Sequence, residues 1–487
     1  MGSVDVQIEV GNAGAKVEPN IYGHFAEHLG RCIYGGIWVG ENSSIPNDNG
    51  LRLDTVEALK QLELPVLRWP GGCFADNYHW RDGIGPRDKR PTRLNIWWHQ
   101  GESNAFGTHE FMRFCRAIGT EPYLCANVGS GDPEEARSWL EYCNSTQVTS
   151  LTKERAANGD PEPFGVKHWG IGNENWGCGG SMTPEHYADL YRQFATYLDG
   201  CDRNAVLIAC GGGQKWNERF LDGLKGYEHL VDAIAVHHYS GHGLPDVTYE
   251  DRQYYGLLTA VEAMNRHLED AARVCRERSS ERHQVKLIMD EWGTWYREAT
   301  VESGLRQEST MADAIFAGLS FHMFHRHAAD LVMTNMAQTV NVLQALVLTA
   351  GPKLCLTPTY WVYDLFKPHR AGQVAPTTVR GPSLTLGGRV IGLCSVSATV
   401  TGKEAAVSLV NADLESACEV RASFPGSSLA QVKSARVLTS ANVRDHNTPE
   451  SPDVISPAAL DVKIAGGALQ VTLPACAVAM VEVVLTD

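Results

Sequence analysis

The chain has no run of roughly 18 or more apolar residues, so nothing in it reads as a membrane-spanning helix. It has no C-x-x-C pair either. Most of its 13 cysteines lie in apolar runs such as Leu124-Cys125-Ala126, where the thiol reads as a reduced core group. Positive charge is in deficit: 42 Lys and Arg against 57 Asp and Glu leave a net charge of −15, which disfavours a nucleic-acid partner. The opening MGSVDVQIEV carries neither a basic segment nor an apolar one, so no secretory signal is visible. With the reduced cysteines, this points to the cytoplasm. Internal repeats and low-complexity tracts are also missing, which removes solenoids and fibrous folds from consideration.

What remains is a chain of 487 residues with 43% hydrophobic and 20% charged content, long enough for one large domain and a smaller one. Eight short apolar segments recur at 21–27, 65–69, 122–128, 166–174, 205–210, 233–239, 285–291 and 331–336, mostly with helical patterns between them. Asp132-Pro133-Glu134-Glu135 and Thr183-Pro184-Glu185 each supply an N-cap, a proline at the first helical position and an acid in the first turn. Residues 251–278 carry Leu257, Leu258, Val261, Met264, Leu268, Ala271 and Val274 at helical spacing. This alternation predicts an α/β fold, a (β/α)8 TIM barrel with insertions. After about residue 371 the texture changes to β-rich runs at 389–398, 404–410, 469–473 and 477–485, which predict an additional antiparallel β-sandwich domain. The alternation Val4-Asp5-Val6-Gln7-Ile8 predicts one more half-buried strand ahead of the barrel. The expected division is therefore 1–16 as an N-terminal strand joining the sandwich, 17–370 as the barrel and 371–487 as the sandwich.

Active sites of TIM barrels lie at the C-terminal ends of the strands. Three glutamates fall there: Glu27 ending the first segment, Glu174 in Gly172-Asn-Glu-Asn175 ending the fourth, and Glu291 ending the seventh. Mutual repulsion makes such a set hard to explain structurally. Paired carboxylates suit glycoside hydrolysis, in which one acid protonates the leaving oxygen and the other attacks or activates water. Retention calls for a carboxyl separation of about 5–5.5 Å, inversion for roughly 6.5–9.5 Å. Trp69, Trp97, Trp98, Trp176, Tyr239, Trp292 and Trp295 could stack on sugar, although barrel-loop tryptophans also serve as filler. Asp290 competes with Glu291 for the seventh-strand role, because adjacent strand residues point to opposite sides. Alternation alone does not choose between them.

The motifs YGHFAEHLGRCIYGGIW (22–38), LRWPGGCFADNYHWRDGIGP (67–86), FGTHEF (106–111), GNENWGCGG (172–180), DEWGTWY (290–296) and NMAQTVNVLQA (335–345) resemble those of the family 51 glycoside hydrolases, the retaining α-L-arabinofuranosidases. The resemblance implies that Glu174 is the general acid/base and Glu291 the nucleophile, which resolves the Asp290 ambiguity. It further implies contacts to the arabinofuranosyl ring from Glu27, Cys73, Asn173, Tyr239 and Gln344, with Trp98 bordering the site. Asparagine commonly replaces Cys73 in the family, and a thiol there is a weaker donor. Arg68 near the rim reads either as the group that keeps the nucleophile ionised or as a structural ion pair. The expected substrates are arabinose-containing oligosaccharides and polysaccharides such as arabinoxylan and arabinan. The family often forms hexamers, which implies a homo-oligomer.

His322, His325 and His327 match no HExxH pattern, and glycosidase chemistry of this type needs no metal or other cofactor. Helix packing and surface exposure account for them. The alternatives at this point are an endo-acting β-1,4-glucanase or xylanase on the same barrel, a non-catalytic carbohydrate-binding protein and a metal-dependent barrel hydrolase. The paired acids argue against the second.

Overall fold

The computed structural model describes residues 2–486. Eight parallel strands close into a barrel in chain order: Gly23–Phe25, Val66–Trp69, Glu121–Ala126, His168–Ile171, Val206–Cys210, Ala233–Ser240, Lys286–Thr294 and Leu331–Ala337. The helices between them start where their caps dictate. Asp132 accepts from the Glu135 N–H ahead of Pro133–Asn144, and Thr183 accepts from the His186 N–H ahead of Pro184–Cys201. The stripe from Leu257 to Val274 is the buried face of the helix Asp251–Arg278. Val66, Tyr123, Ile208, Ala235, Ile288 and Met333 fill the lower interior with apolar volume. Higher in the same throat the filling turns polar, with Arg68, Asn173, Asp290 and Glu291 all buried. The apolar layer stabilises the barrel, and the polar layer lies at the end where this fold does its chemistry.

Several strand boundaries differ from the sequence reading by one to three residues, and two of the differences matter. The fourth strand ends at Ile171, so Glu174 sits in the following turn with a φ of 42° rather than in the strand itself. The run at 389–398 splits at Leu393. Arg389–Gly392 folds back on Ser383–Leu386 as a hairpin, and Cys394–Thr401 joins the sandwich. Continuous β-propensity conceals such a break, because both pieces are strands.

The sandwich comprises a six-stranded sheet and a five-stranded one. Strand Gly2–Ile8 lies inside the smaller sheet, antiparallel to Thr377–Arg380 and parallel to Cys418–Ser423. Its period-two pattern sends Val4, Val6 and Ile8 into the sandwich core and leaves Ser3, Asp5 and Gln7 on the outer face. Helix Met311–Arg326 follows the seventh strand and is apolar nearly all round, as a helix caught between two layers must be. Its Asp313 turns to Thr294 and Tyr296 on the barrel side, while His322 and His325 turn to the sandwich. His322 bonds the Ser395 and Ser408 hydroxyls at 2.8 Å each, and His325 reaches Ser397 at 2.8 Å and Tyr22 at 2.7 Å. His369 adds Thr399 at 2.9 Å and Ser408 at 2.7 Å. His327, at the helix end, is half-buried and bonds Asn265.

Burial pushes the His325 imidazole down to about 3, and those of His322 and His369 well below the ordinary histidine range. These rings therefore stay neutral in the folded protein while the unfolded chain protonates them near 6.5. Below that pH the unfolded state binds more protons, so stability falls as the pH drops from about 6.5 towards 3. Urea unfolding at stepped pH should show that loss. His369→Gln should flatten the slope by up to one proton in the same window. An unchanged slope would mean that this histidine does not titrate on unfolding.

Candidate active site

A cavity of about 170 Å³ opens at the C-terminal ends of the barrel strands. Glu27, Cys73, Trp98, Glu174, Tyr239 and Glu291 line it, together with Gln338. A larger groove of about 460 Å³ crosses the outer face of the sandwich past Asp5, Arg421 and Lys463. That groove does not bring two carboxylates into the geometry described next.

An oxygen of Glu174 and an oxygen of Glu291 lie within 4.8 Å of each other, with His237 Nδ1 inside the same radius. Glu291 reaches this position because the seventh strand runs on to Thr294. Arg68 donates to its Oε1 at 2.8 Å, and the Tyr239 hydroxyl donates to its Oε2 at 2.9 Å. Arg68 is 1% exposed and also pairs with Asp290 at 3.1 Å and Asn173 Oδ1 at 2.5 Å. Asp290 points away from the cavity to Arg68, the Tyr123 hydroxyl (2.9 Å) and His237 Nε2 (3.0 Å). Burial alone would raise its pKa, but Arg68 and His237 outweigh burial and hold it at about 2. The two neighbouring acids both reach Arg68 and His237, because an irregularity in the pairing of the seventh strand interrupts simple alternation there, and only Glu291 lines the cavity.

Glu174 is held by its surroundings rather than by a strand. The buried Asp76 carboxylate accepts the backbone N–H groups of Val128 and Gly129 at 2.7 Å each and of Asn173 at 2.8 Å, which ties two loops to one side chain. Cys73 is bonded to Cys178, 105 residues away, and this disulfide staples the same region. The thiol donor expected at Cys73 is therefore absent: its sulfur lines the cavity as half of a disulfide, and Cys178 Sγ lies 3.6 Å from Glu174 Oε2. The general reading of reduced core cysteines applies to the other eleven, which are free.

Glu27 is a hub. It accepts from the Phe74 N–H at 2.9 Å, Trp98 Nε1 at 3.0 Å and Gln338 Nε2 at 3.0 Å. Burial, with the Glu291 charge added, pushes its pKa up to about 7 in spite of these donors. The chain passes so close that a Cβ on Gly72 would meet Glu27 Oε2 at 2.4 Å, and the φ of 24° there also calls for glycine.

Gln344 does not reach the cavity. Its Oε1 accepts from the Thr294 N–H at 2.9 Å, and its Nε2 donates to the Asp313 carbonyl (3.0 Å) and Thr359 (3.2 Å). Gln338, six residues earlier in the same motif, faces the cavity instead. Among the tryptophans, Trp69 and Trp292 are fully buried core residues, whereas Trp98 and Trp295 border the cavity. Trp176 is 42% exposed and anchored by Nε1 on the Gly211 carbonyl.

The sequence reading also passed over His237. Its Nδ1 lies 2.8 Å from Glu174 Oε1 and 3.5 Å from Glu291 Oε2. Burial pulls the imidazole's pKa down, but Glu291, Asp290 and Glu174 outweigh it and carry it to about 10. The signal was present, because His237 precedes Tyr239 by two residues on one strand, which places both on one face. Glu174, His237 and Glu291 are near enough to share a cation, yet the imidazole already serves their carboxylates as a partner. Cys73 and Cys178 with Glu174 form a second such group, whose sulfurs are spent in the disulfide.

Two family models match the chain: the α-L-arabinofuranosidase 1 domain over residues 58–256, and the α-L-arabinofuranosidase C-terminal domain over 290–477. An intracellular exo-α-L-arabinofuranosidase of Bacteroides ovatus is 39% identical over 483 residues, covering 96% of this chain and 93% of the relative. A probable α-L-arabinofuranosidase C of Aspergillus niger is 36% identical, covering 85% of each. Among solved structures, the GH51 arabinofuranosidase of Xanthomonas axonopodis pv. citri superposes with a TM-score of 0.94 at 36% identity, over 99% of this chain and 100% of that one. The arabinose complex of the Thermotoga maritima α-L-arabinofuranosidase gives 0.87 at 32%, with the same coverage.

The disulfide is directly countable. Alkylation in denaturant without reductant should add eleven labels, and prior reduction should raise that to thirteen, as read by intact mass. Thirteen labels without reductant would show that Cys73 and Cys178 are free thiols.

Proposed function

Because the chain belongs to the family 51 glycoside hydrolases, the α-L-arabinofuranosidases, we propose that it removes terminal non-reducing α-L-arabinofuranosyl residues from arabinose-containing oligosaccharides and polysaccharides, with retention of configuration. The observation that carries this reading is the pair of glutamates on one small cavity, with carboxylate oxygens within 4.8 Å of each other. That approach is nearer the short gap of a retaining enzyme than the wide one of an inverting enzyme. A cavity of about 170 Å³ is well below the roughly 300–1,000 Å³ of drug-sized sites, which favours one sugar ring over a polymer threaded through a cleft. This separates the exo-acting reading from the endo-glucanase and xylanase alternatives.

In the first step Glu291 attacks the anomeric carbon. The glycosidic bond breaks, its electron pair goes to the leaving oxygen, and that oxygen takes the Glu174 proton. In the second step water attacks the same carbon and gives a proton to Glu174. The bond to Glu291 breaks, and the electron pair returns to the carboxylate. Arg68 and Tyr239 hold Glu291 by both oxygens, so its approach is aligned before substrate arrives. Asn173 turns its oxygen to Arg68 and its amide nitrogen towards Cys178 Sγ (3.8 Å), which leaves one amide N–H as a donor to a sugar hydroxyl. Glu27, acting with Trp98 and Gln338, accepts further hydroxyls. We place the enzyme in the cytoplasm as a homo-oligomer. The intracellular name of the Bacteroides relative supports the first assignment, and the hexamers frequent in the family support the second.

Variants of the two glutamates should separate their roles. On a nitrophenyl arabinofuranoside, Glu291→Ala should lose roughly 10⁴-fold or more in kcat, as expected for removal of a nucleophile that acts as part of a unit. Glu174→Ala should still glycosylate, stall at deglycosylation and be rescued by azide, giving an arabinosyl azide of retained configuration. A retained azide from the Glu291 variant, identified by NMR, would reverse the assignment.

A further inference from the structure

The reaction as written gives no part to the Cys73–Cys178 disulfide, which stands at the cavity beside Glu174. Both of its cysteines are half-buried, so solvent reaches them, whereas ten of the eleven free cysteines are buried. In a reducing compartment a disulfide rarely persists as a permanent staple. Those that do occur are usually transient and either catalytic or redox-sensing.

We propose that Cys73–Cys178 is a redox switch on the acid/base: a small dithiol opens it, and the Cys178 thiol so formed donates to Glu174. This rests on the role assigned above to Glu174 and on the cytoplasmic placement. In the opening step a thiolate of the dithiol attacks one sulfur, the S–S bond breaks, and its electron pair leaves on the other sulfur. The second thiol of the reductant then attacks the mixed disulfide, frees the remaining cysteine and closes the reductant's own S–S bond. Two electrons and two protons reach the pair, and the dithiol ends as a disulfide. A low-molecular-weight disulfide reverses the exchange.

Geometry supplies the coupling. Cys178 Sγ lies 3.6 Å from Glu174 Oε2, within reach of a sulfur hydrogen bond. A disulfide sulfur has no proton to give, whereas a thiol is a donor, if a weak one. Opening the bond therefore adds a donor at Oε2, while His237 Nδ1 keeps Oε1 at 2.8 Å. The backbone beside Cys178 has no room to withdraw, because a Cβ on Gly179 would meet the Asn173 carbonyl oxygen at 2.1 Å and Asp76 Oδ2 at 2.5 Å. Asp76 also holds the loops after the second, third and fourth strands together through the N–H groups of Val128, Gly129 and Asn173. The switch thus acts on the carboxyl and leaves the fold in place.

Facing Glu174 are His237 and Tyr239 from the sixth strand, Glu291 from the seventh and Cys210 at the end of the fifth. None of these changes on reduction, since Cys210 is already a free thiol. A donor added to a carboxyl stabilises its anion, so less of Glu174 carries the proton that glycosylation needs. The basic limb of the kcat/KM profile should therefore move to lower pH, by about half a unit for so weak a donor. On that limb the rate should fall about threefold.

Native wild-type protein tests this, with the redox state counted by alkylation in denaturant and intact mass. Treatment of the folded enzyme with dithiothreitol should raise the count from eleven labels to thirteen. The basic limb should shift as the two labels appear and return on reoxidation with glutathione disulfide. Superimposable profiles at eleven and thirteen labels would overturn the proposal, as would a bond that opens only in denaturant. Cys178→Ser keeps a donor without the disulfide and should show the shifted limb with or without reductant. Cys178→Ala has no donor and should keep the limb of the oxidised enzyme. An equal shift in both variants would trace the effect to loosened loops and sink the donor. Azide-driven turnover of Glu174→Ala should ignore the reductant, and a response there would place the effect elsewhere than on Glu174. The configuration of the azide products, obtained with the disulfide closed, reads an error in the roles of the glutamates separately.

Discussion

The throat of the barrel is organised by one buried guanidinium. Arg68 cannot shed its proton, and a charge buried to 1% exposure is tolerated only if it is fully paired. Its three nitrogens spread that demand over the seventh strand and the loop after the fourth. Nη1 takes Glu291, Nε faces Asp290 and Nη2 takes Asn173, while the plane lies 4.8 Å over the Phe25 ring. Each partner is fixed in charge or orientation as a result. Asp290 stays ionised, Glu291 is aimed, and the Asn173 amide has only one sensible orientation. Lysine at this position would offer a point charge and could not keep three separate directions at once.

Glu27 shows what happens to a carboxyl on the same rim without such a cation. It has three donors and no positive partner, and its pKa rises to about 7. Asp290, buried as deeply, falls to about 2. Environment, not residue type, divides labour among the acids of this site, and glycosidase chemistry relies on that division.

Much of this was legible in the sequence because it is local. Strand ends, caps and the Asn173-Glu174 pair are written in consecutive residues, and the eightfold alternation followed from period alone. The features that escaped depend on distance or on a choice between equals. Gln338 and Gln344 share one motif, and only the path of the loop after the eighth strand decides which faces the cavity. The Cys73–Cys178 bond joins residues 105 apart, so nothing in either neighbourhood announces it. His237 was within reach of the reasoning that found Tyr239, since a strand that turns one inward turns the other inward too. The position of Glu174 three residues past its strand is a matter of turn geometry, which hydrophobic pattern does not record.

The strand Gly2–Ile8 has a consequence for synthesis. Its parallel neighbour, Cys418–Ser423, is made more than 400 residues later. During translation the first strand must wait, with Val4, Val6 and Ile8 exposed, while the whole barrel emerges and closes behind it. Domains tend to fold as they leave the ribosome. Here the catalytic barrel is a passenger within the sandwich, complete before its host can assemble. The apolar edge of those first residues then needs shielding for longer than any other part of the chain, so a delay in translation downstream of the barrel exposes a strand that nothing yet synthesised can cover.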